Sequence, residues 1–252
     1  MDLGISGRRA AVAAASKGLG FGAAAALVAE GVQVAMCSRN RAEIEAAAAS
    51  LGDLAVPLVA DVGTPDGAAG FVDAAGAALG GVDILVANAG GPPPGTFATV
   101  EGTGPYAEAF ALNALSTIAM CQHAIPAMRA QGWGRVVAIT SIAVRQPIAT
   151  LILSNTARAG LTGFLKTVAR EVASDGVTVN SLQPGLHATE RMVGLYGDAA
   201  TDPAGLGAGV PTGRIGAAAD FGAFVAFLCS DAANYVTGCA IPVDGGADAA
   251  LQ

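Results

Sequence analysis

The chain has 252 residues, enough to bury a sizeable core, and it is 53% hydrophobic and only 13% charged, a balance that excludes a disordered protein. Its formal charge is −7 and its pI about 4.7, and no cluster of basic residues supplies the surface a nucleic acid would need. No apolar run approaches the roughly 20 residues that span a bilayer, and no small-residue cleavage site follows the short apolar stretch 10–15, so neither a membrane span nor a signal peptide is expected.

Strand and helix signals then alternate almost to the end. Residues 9–14 read as a strand, 20–30 as an alanine-rich helix stopped by Gly31, and 33–38 as a second strand. A helix over 41–51 closes at Gly52, a strand covers 55–59, and Pro65, well placed as a first helical residue, opens a helix to Leu79. Residues 84–87 form a fourth strand, 106–130 a long helix, 135–140 a fifth strand and 149–174 another long helix that ends near Asp175-Gly176. A strand at 178–182, a helix at 220–230 and a strand at 240–243 complete the series. Short apolar strands alternating with helices imply an α/β fold, a doubly wound, seven-stranded parallel sheet covered on both faces. No linker is visible, so residues 1–252 read as one dinucleotide-binding and catalytic domain. The irregular segment 186–213, rich in Gly, Ala and Pro, reads as a substrate lid. Cys37, Cys121, Cys229 and Cys239 lie among apolar residues without paired spacing and read as buried free thiols of a reducing compartment, here the cytoplasm. His123 and His187 do not join them in a ligand cluster, so no metal is expected.

The first turn, Ala14-Ala15-Ser16-Lys17-Gly18-Leu19-Gly20, follows a strand and opens a helix, where glycines let the backbone approach a pyrophosphate on the positive helix end. Asp61 after the third strand and Asn88-Ala89-Gly90 after the fourth fall at carboxyl ends of strands, where open α/β sheets place ligands. Ser38 and Arg39 end the second strand where an acidic residue would accept from a ribose 2′-hydroxyl. With Lys17 they leave two cations and no carboxylate, which favours a 2′-phosphate and hence NADP(H).

Over nearly its whole length the chain resembles the short-chain dehydrogenase/reductase family, and within it the 3-oxoacyl-acyl-carrier-protein-reductase-like members. The resemblance is carried by Gly18 and Gly20 of the first turn, by Ala87-Asn88-Ala89-Gly90, by Asn113 and Ser141, by Asn180, Pro184, Gly185 and Thr189, and by Thr237-Gly238 with Val243-Asp244-Gly245-Gly246. It implies cofactor contacts at Ser16, Lys17, Gly18, Leu19, Gly20, Ser38, Arg39, Asp61, Val62, Asn88, Ala89, Gly90, Arg158, Pro184, Gly185 and Thr189, and a catalytic set of Asn113, Ser141, Ser154 and Arg158. It also implies a homodimer or homotetramer packed through the long helices. The chain departs from the family's pattern in two places. Ala14 stands where the family has glycine, tolerable at negative φ and costly at positive φ; a slightly remodelled turn is expected. Ser154 and Arg158 stand where the family has its tyrosine and lysine, and no tyrosine occurs between Ser141 and Gly176.

A phenol has a pKa of about 10 and is readily tuned, whereas an aliphatic hydroxyl is a poor acid and an arginine, with a pKa above about 12, does not relay protons. Ser141, Ser154 and Arg158 can still stabilise a developing oxyanion. The expected activity is NADPH-dependent reduction of the carbonyl of an apolar or aromatic small molecule, or the reverse oxidation. The alternative is a non-redox protein of this fold: an isomerase, a dehydratase, a cyclase or a nucleotide-binding regulator. Tyr196 in the lid is a surrogate acid to consider. The Pro-rich loop 90–97 reads as a rigid active-site wall with Phe97 toward the substrate, or as a structural loop without substrate contact, and Arg145, Arg191 and Arg214 each read as a solvated surface residue, with anion binding as the alternative.

Overall fold

In a computed structural model of the chain, residues 2–192, 197 and 202–251 are described. The sheet has the order β3-β2-β1-β4-β5-β6-β7 and every pairing is parallel. Its strands are β1 Arg9–Val12, β2 Gln33–Ser38, β3 Ala55–Val59, β4 Ile84–Ala87, β5 Gly134–Ile139, β6 Val177–Pro184 and β7 Ala240–Val243. The order reverses between β1 and β4, and the crevice outside the carboxyl ends of those two strands is where such sheets bind ligands.

The helices follow from local chemistry. Asn40 accepts from Glu43 N to cap α2 (Arg41–Leu51), and Thr64 accepts from Gly67 N to cap α3 (Pro65–Leu79), which closes on Gly80 at φ 77°. Period-two alternation along β1 sends Ala11 into one core and Ala10 and Val12 into the other. The first core packs α3, α5 (Ser116–Gln131) and α6 (Ile152–Val172) on the sheet. The second packs α1 (Gly18–Ala29), α2 and α7 (Ala218–Leu228) on the opposite face. Gly22 of α1 and Gly222 of α7 meet backbone to backbone, so a Cβ on either would collide with the other helix.

Several boundaries differ from the sequence reading. The helix expected over 106–130 is α4 (Gly104–Phe110), a π-helical turn at Ala111–Leu115, and then α5. Ser116 and Thr117 hydroxyls donate back to the carbonyls of Leu112 and Asn113, which opens the ladder there. Helix α6 starts at Ile152 rather than at 149, because Thr150 and Ile152 bond Gly95 across a short bridge instead of starting a helical turn. The lid segment contains a short helix, Pro203–Gly207. Leu195 and Tyr196 lie outside the described residues. Cys37, Cys121 and Cys229 are buried, with burial pushing each thiol up to about 12, but Cys239 is exposed, contrary to the expectation for all four. No described helix is long and apolar enough to cross a membrane.

At the amino end of the sheet Asp83 is buried, and its carboxylate accepts from Arg9 N and Nε at 3.0 and 2.9 Å, from Arg9 Nη2 at 2.6 Å and from Gln131 Nε2 at 3.0 Å. Burial raises its pKa, but the hydrogen bonds and charge of Arg9 outweigh it and hold the group below the usual carboxylate range. We expect Asp83→Asn to cost about 2–4 kcal/mol in denaturant unfolding at neutral pH, because Arg9 loses its counter-charge. The folded-state pKa is the depressed one, so this stabilisation is complete above the unfolded value of about 4 and fades as pH falls through the folded value. The gap between wild type and variant should therefore close in acid; a gap constant down to the acid transition would show the ion pair is not its source.

Candidate active site

The carboxyl ends of the strands border one cleft of about 1350 Å³, large enough for a dinucleotide together with a second small molecule. Ser16, Lys17, Gly18, Leu19, Ser38, Arg39, Asp61, Val62, Asn88, Ala89, Gly90, Ser141, Ser154, Arg158, Pro184, Gly185 and Thr189, all named from the sequence, line it. Gly20 and Asn113 do not; they shape the wall from behind. A Cβ on Gly20 would strike the Ala14 carbonyl and stand 2.9 Å from Asn88 Nδ2, so glycine there is what lets α1 start against the ends of β1 and β4. Asn113, in the π-helical turn, donates through Nδ2 to Gly90 O at 2.8 Å, while its buried Oδ1 has no partner among the described residues. Together with the bond from Asn88 Nδ2 to Ala14 O at 3.1 Å, this fixes the Asn88-Ala89-Gly90 turn from both sides.

One half of the cleft suits a dinucleotide. Lys17, the N-cap of α1, makes no side-chain cap, so the amides of the first helical turn face the cleft ready for an anion. Gly18 sits at φ 63° opposite Thr189. The ribose corner is less purely cationic than the sequence reading had it. Glu190 holds Lys17 Nζ at 2.5 Å, and Glu43 lies 3.9 Å from it and 3.4 Å from Ser16 Oγ. Both carboxylates come from segments distant in sequence. Arg39 lines the cleft and has no carboxylate partner among the described residues.

In the other half, Ser141 and Ser154 line the cleft with hydroxyls that each accept one hydrogen bond. Ser141 Oγ accepts from Ala143 N at 3.1 Å, capping the short helix Ile142–Val144. Ser154 Oγ accepts from Arg158 Nε at 3.2 Å. Each oxygen keeps a second lone pair, and neither O–H has an acceptor among the described residues, which leaves it available as a donor. Arg158 is itself held in place. Its Nη1 donates to Ile139 O and Thr140 O, both at 3.0 Å, binding the guanidinium beneath the end of β5, and only Nη2 remains without a partner among the described residues. Burial, and secondarily the positive charge of Arg191, push its pKa down to about 10, so it remains charged at neutral pH.

Arg191 was read as a surface residue. Although solvent reaches it, it is fastened into the site, donating to Gly91 O at 3.2 Å and Pro92 O at 3.0 Å, and it lines the cleft. Its guanidinium lies so close over Gly91 that a Cβ there would collide with it. Arg145 and Arg214 instead pair with Asp248 and Asp220. Phe97 is 87% exposed and outside the cleft; of its loop only Gly90, Gly91 and Pro94 form wall. His187 lines the cleft, but its ring packs edge-on against Phe221, and burial lowers its pKa, keeping it neutral at pH 7. No group of residues suited to a metal ion occurs among the described residues.

Residues 13–248 match the family model described as enoyl-(acyl carrier protein) reductase. A 3-oxoacyl-[acyl-carrier-protein] reductase, FabG, from Salmonella typhimurium is 33% identical over 244 residues, covering 97% of this chain and 98% of that protein. The chain belongs to the short-chain dehydrogenase/reductase family. Another relative, dehydrogenase/reductase SDR family member 4 of Bos taurus, is 32% identical, covering 94% of this chain and 86% of its own. Among solved structures, L-sorbose reductase from Gluconobacter frateurii, complexed with NADPH and L-sorbose, superposes with a TM-score of 0.93 at 30% identity over the full length of both chains.

Against the family pattern, Ala14 is not accommodated by a relaxed turn. It stands at φ 48°, the one left-handed residue other than glycine among those described. Its carbonyl is aimed at Asn88 and its neighbours are fixed, so the strain stays in place. Ala14→Gly should raise stability by about 0.5–1 kcal/mol, the relief of left-handed strain exceeding the extra chain entropy of glycine. Urea midpoints at unchanged slope give the comparison; an unchanged or lower midpoint would mean that this φ carries no cost.

Proposed function

We propose that the protein is an NADP(H)-dependent oxidoreductase acting on a carbonyl or hydroxyl group, and that it reduces the carbonyl of a small, largely apolar substrate. NADPH, when bound, would supply the hydride for the carbonyl carbon. The dinucleotide is held by the first-turn backbone at Gly18 and the open start of α1, with Arg39 and Lys17 at the 2′-phosphate. The observation that carries the reading is the state of the two serines. Ser141 and Ser154 each accept one hydrogen bond, from Ala143 N and Arg158 Nε, and neither hydroxyl proton has an acceptor among the described residues, so both are available to a carbonyl oxygen that gains negative charge in the cleft. Arg158 orients Ser154 and lends its charge through it. Among the described residues no tyrosine lines the cleft, and water is assigned the proton that completes the alcohol. The substrate end is otherwise walled by Leu112, Ile142, Ile148, Leu151 and Met192, which favours an apolar body over a sugar. The reading includes segment 186–213 as the lid, since Leu186, Thr189, Arg191 and Met192 close that side.

In steady-state assays of NADPH oxidation with a ketone panel, Ser154→Ala should lower kcat roughly 10²–10³-fold and leave NADPH affinity within about twofold, as loss of one oxyanion donor does. Unchanged turnover would remove Ser154 from the chemistry. Fluorescence titration tests the cofactor separately: Arg39→Asp should reverse a preference for NADPH over NADH, since a carboxylate repels the 2′-phosphate. Equal affinities in the parent protein would refute the choice of cofactor.

A further inference from the structure

The reactive half of the cleft carries more positive charge than carbonyl reduction requires. Arg158 is 8% exposed and is held at the end of β5, and Arg191 is fastened to the loop that follows the neighbouring strand β4. Both line the cleft. The carboxylates that line the cleft are engaged by other groups: Glu43 and Glu190 by Lys17, and Asp61 by Gly63 N at 2.9 Å. The cleft is also lined by apolar and hydroxylic residues, among them Leu112, Ile142, Leu151, Met192, Ser141 and Ser154. Main-chain carbonyls orient both arginines without neutralising them, and they leave each with N–H groups to spare. Two cations held by main-chain carbonyls, Arg158 buried and Arg191 open to solvent, with no counter-charge among the described residues, are matched by an anion on the ligand.

We infer that the substrate is an anionic carbonyl compound, an oxo-carboxylate with an apolar body, whose carboxylate is received by Arg191 together with Nη2 of Arg158. The inference rests on the reductase reading for its carbonyl and on the two arginines for its charge. A carboxylate is the fitting anion because two oxygens suffice for the few N–H groups left free, in the planar geometry a guanidinium favours. The dinucleotide's phosphates are met elsewhere, at the start of α1 and at Arg39. Glycine at position 91 is part of this device, since it makes room for the Arg191 side chain to lie flat over the loop.

The test separates charge recognition from catalysis. Binding of hydrocinnamate and of its uncharged amide to the enzyme–NADPH complex is titrated by NADPH fluorescence, and NADPH oxidation is followed with phenylpyruvate and with phenylacetone. We expect the acid to bind at least about tenfold more tightly than the amide, the ratio falling below about threefold in Arg191→Met and being partly kept in Arg191→Lys. Phenylpyruvate should exceed phenylacetone in kcat/KM by a similar factor. Equal binding of acid and amide, or a preference that Arg191→Met does not alter, overturns the inference. So does an Arg191→Met variant whose loss falls on NADPH affinity instead, since the arginine would then serve the dinucleotide. An acid preference without turnover of either ketone supports the anion site and counts against the reductase reading. Turnover of phenylacetone without an acid preference does the reverse.

Discussion

A guanidinium buried at the carboxyl edge of the sheet, with no carboxylate beside it, is the constraint around which this site is built. Arg158 is kept there by the carbonyls of Ile139 and Thr140, which means that the end of β5 is fixed by the same cation that orients Ser154. A lysine could present only a rotating point charge at this place. The rigid fork of arginine reaches two main-chain oxygens and a hydroxyl at once and stays charged despite burial. Ser154 follows from that choice: its oxygen is small enough to sit over Nε and still offer its proton to the cleft. The two substitutions relative to the family pattern thus act as one unit.

The chemistry that results divides labour differently from a phenol and lysine pair. Stabilising charge on oxygen and delivering a proton are separable tasks, and the described residues provide for the first. An amide and a guanidinium each donate to one of the two serine oxygens, which positions Ser141 and Ser154 while leaving their protons without an acceptor among the described residues. Such preorganised donors need no rearrangement when the charge appears. Behind them, Asn113 ties the cofactor-side turn to the π-helical bulge through Gly90 O, so the walls on either side of the reacting centre are braced from the same helix layer.

Much of this architecture is legible in the sequence where local chemistry punctuates it. Strands β2, β3 and β4 and helices α2 and α3 have the boundaries the sequence indicates, because Asn40, Gly52, Thr64, Pro65 and Gly80 start and stop them by capping and turn geometry. The first turn, the Asn88-Ala89-Gly90 segment and the replaced pair Ser154 and Arg158 are likewise visible, since their spacing is fixed within single elements. What escapes is whatever depends on contacts between distant segments. The π-helical turn answers to hydroxyls at 116 and 117 and to a carbonyl at position 90. Arg191 looks like a solvated residue until the carbonyls of Gly91 and Pro92 are brought to it. Glu43 and Glu190 enter the ribose corner from two segments that only the fold unites. The positive φ of Ala14 is of the same kind, because the backbone there is dictated by its fit between α1 and β4.

The cleft, lined by Lys17, Arg39, Arg158 and Arg191 and by Glu43, Asp61 and Glu190, sits in a molecule whose total charge is −7. At long range an approaching anion meets net repulsion, and only within about a Debye length, roughly 8 Å at physiological ionic strength, does it sense Arg158, Arg191 and Arg39 individually. Salt screens the outer field more than the enclosed one. Moderate ionic strength therefore lowers the barrier to encounter while leaving the captured state nearly intact, which makes the entrance a kinetic filter tuned by ionic conditions rather than by contact geometry.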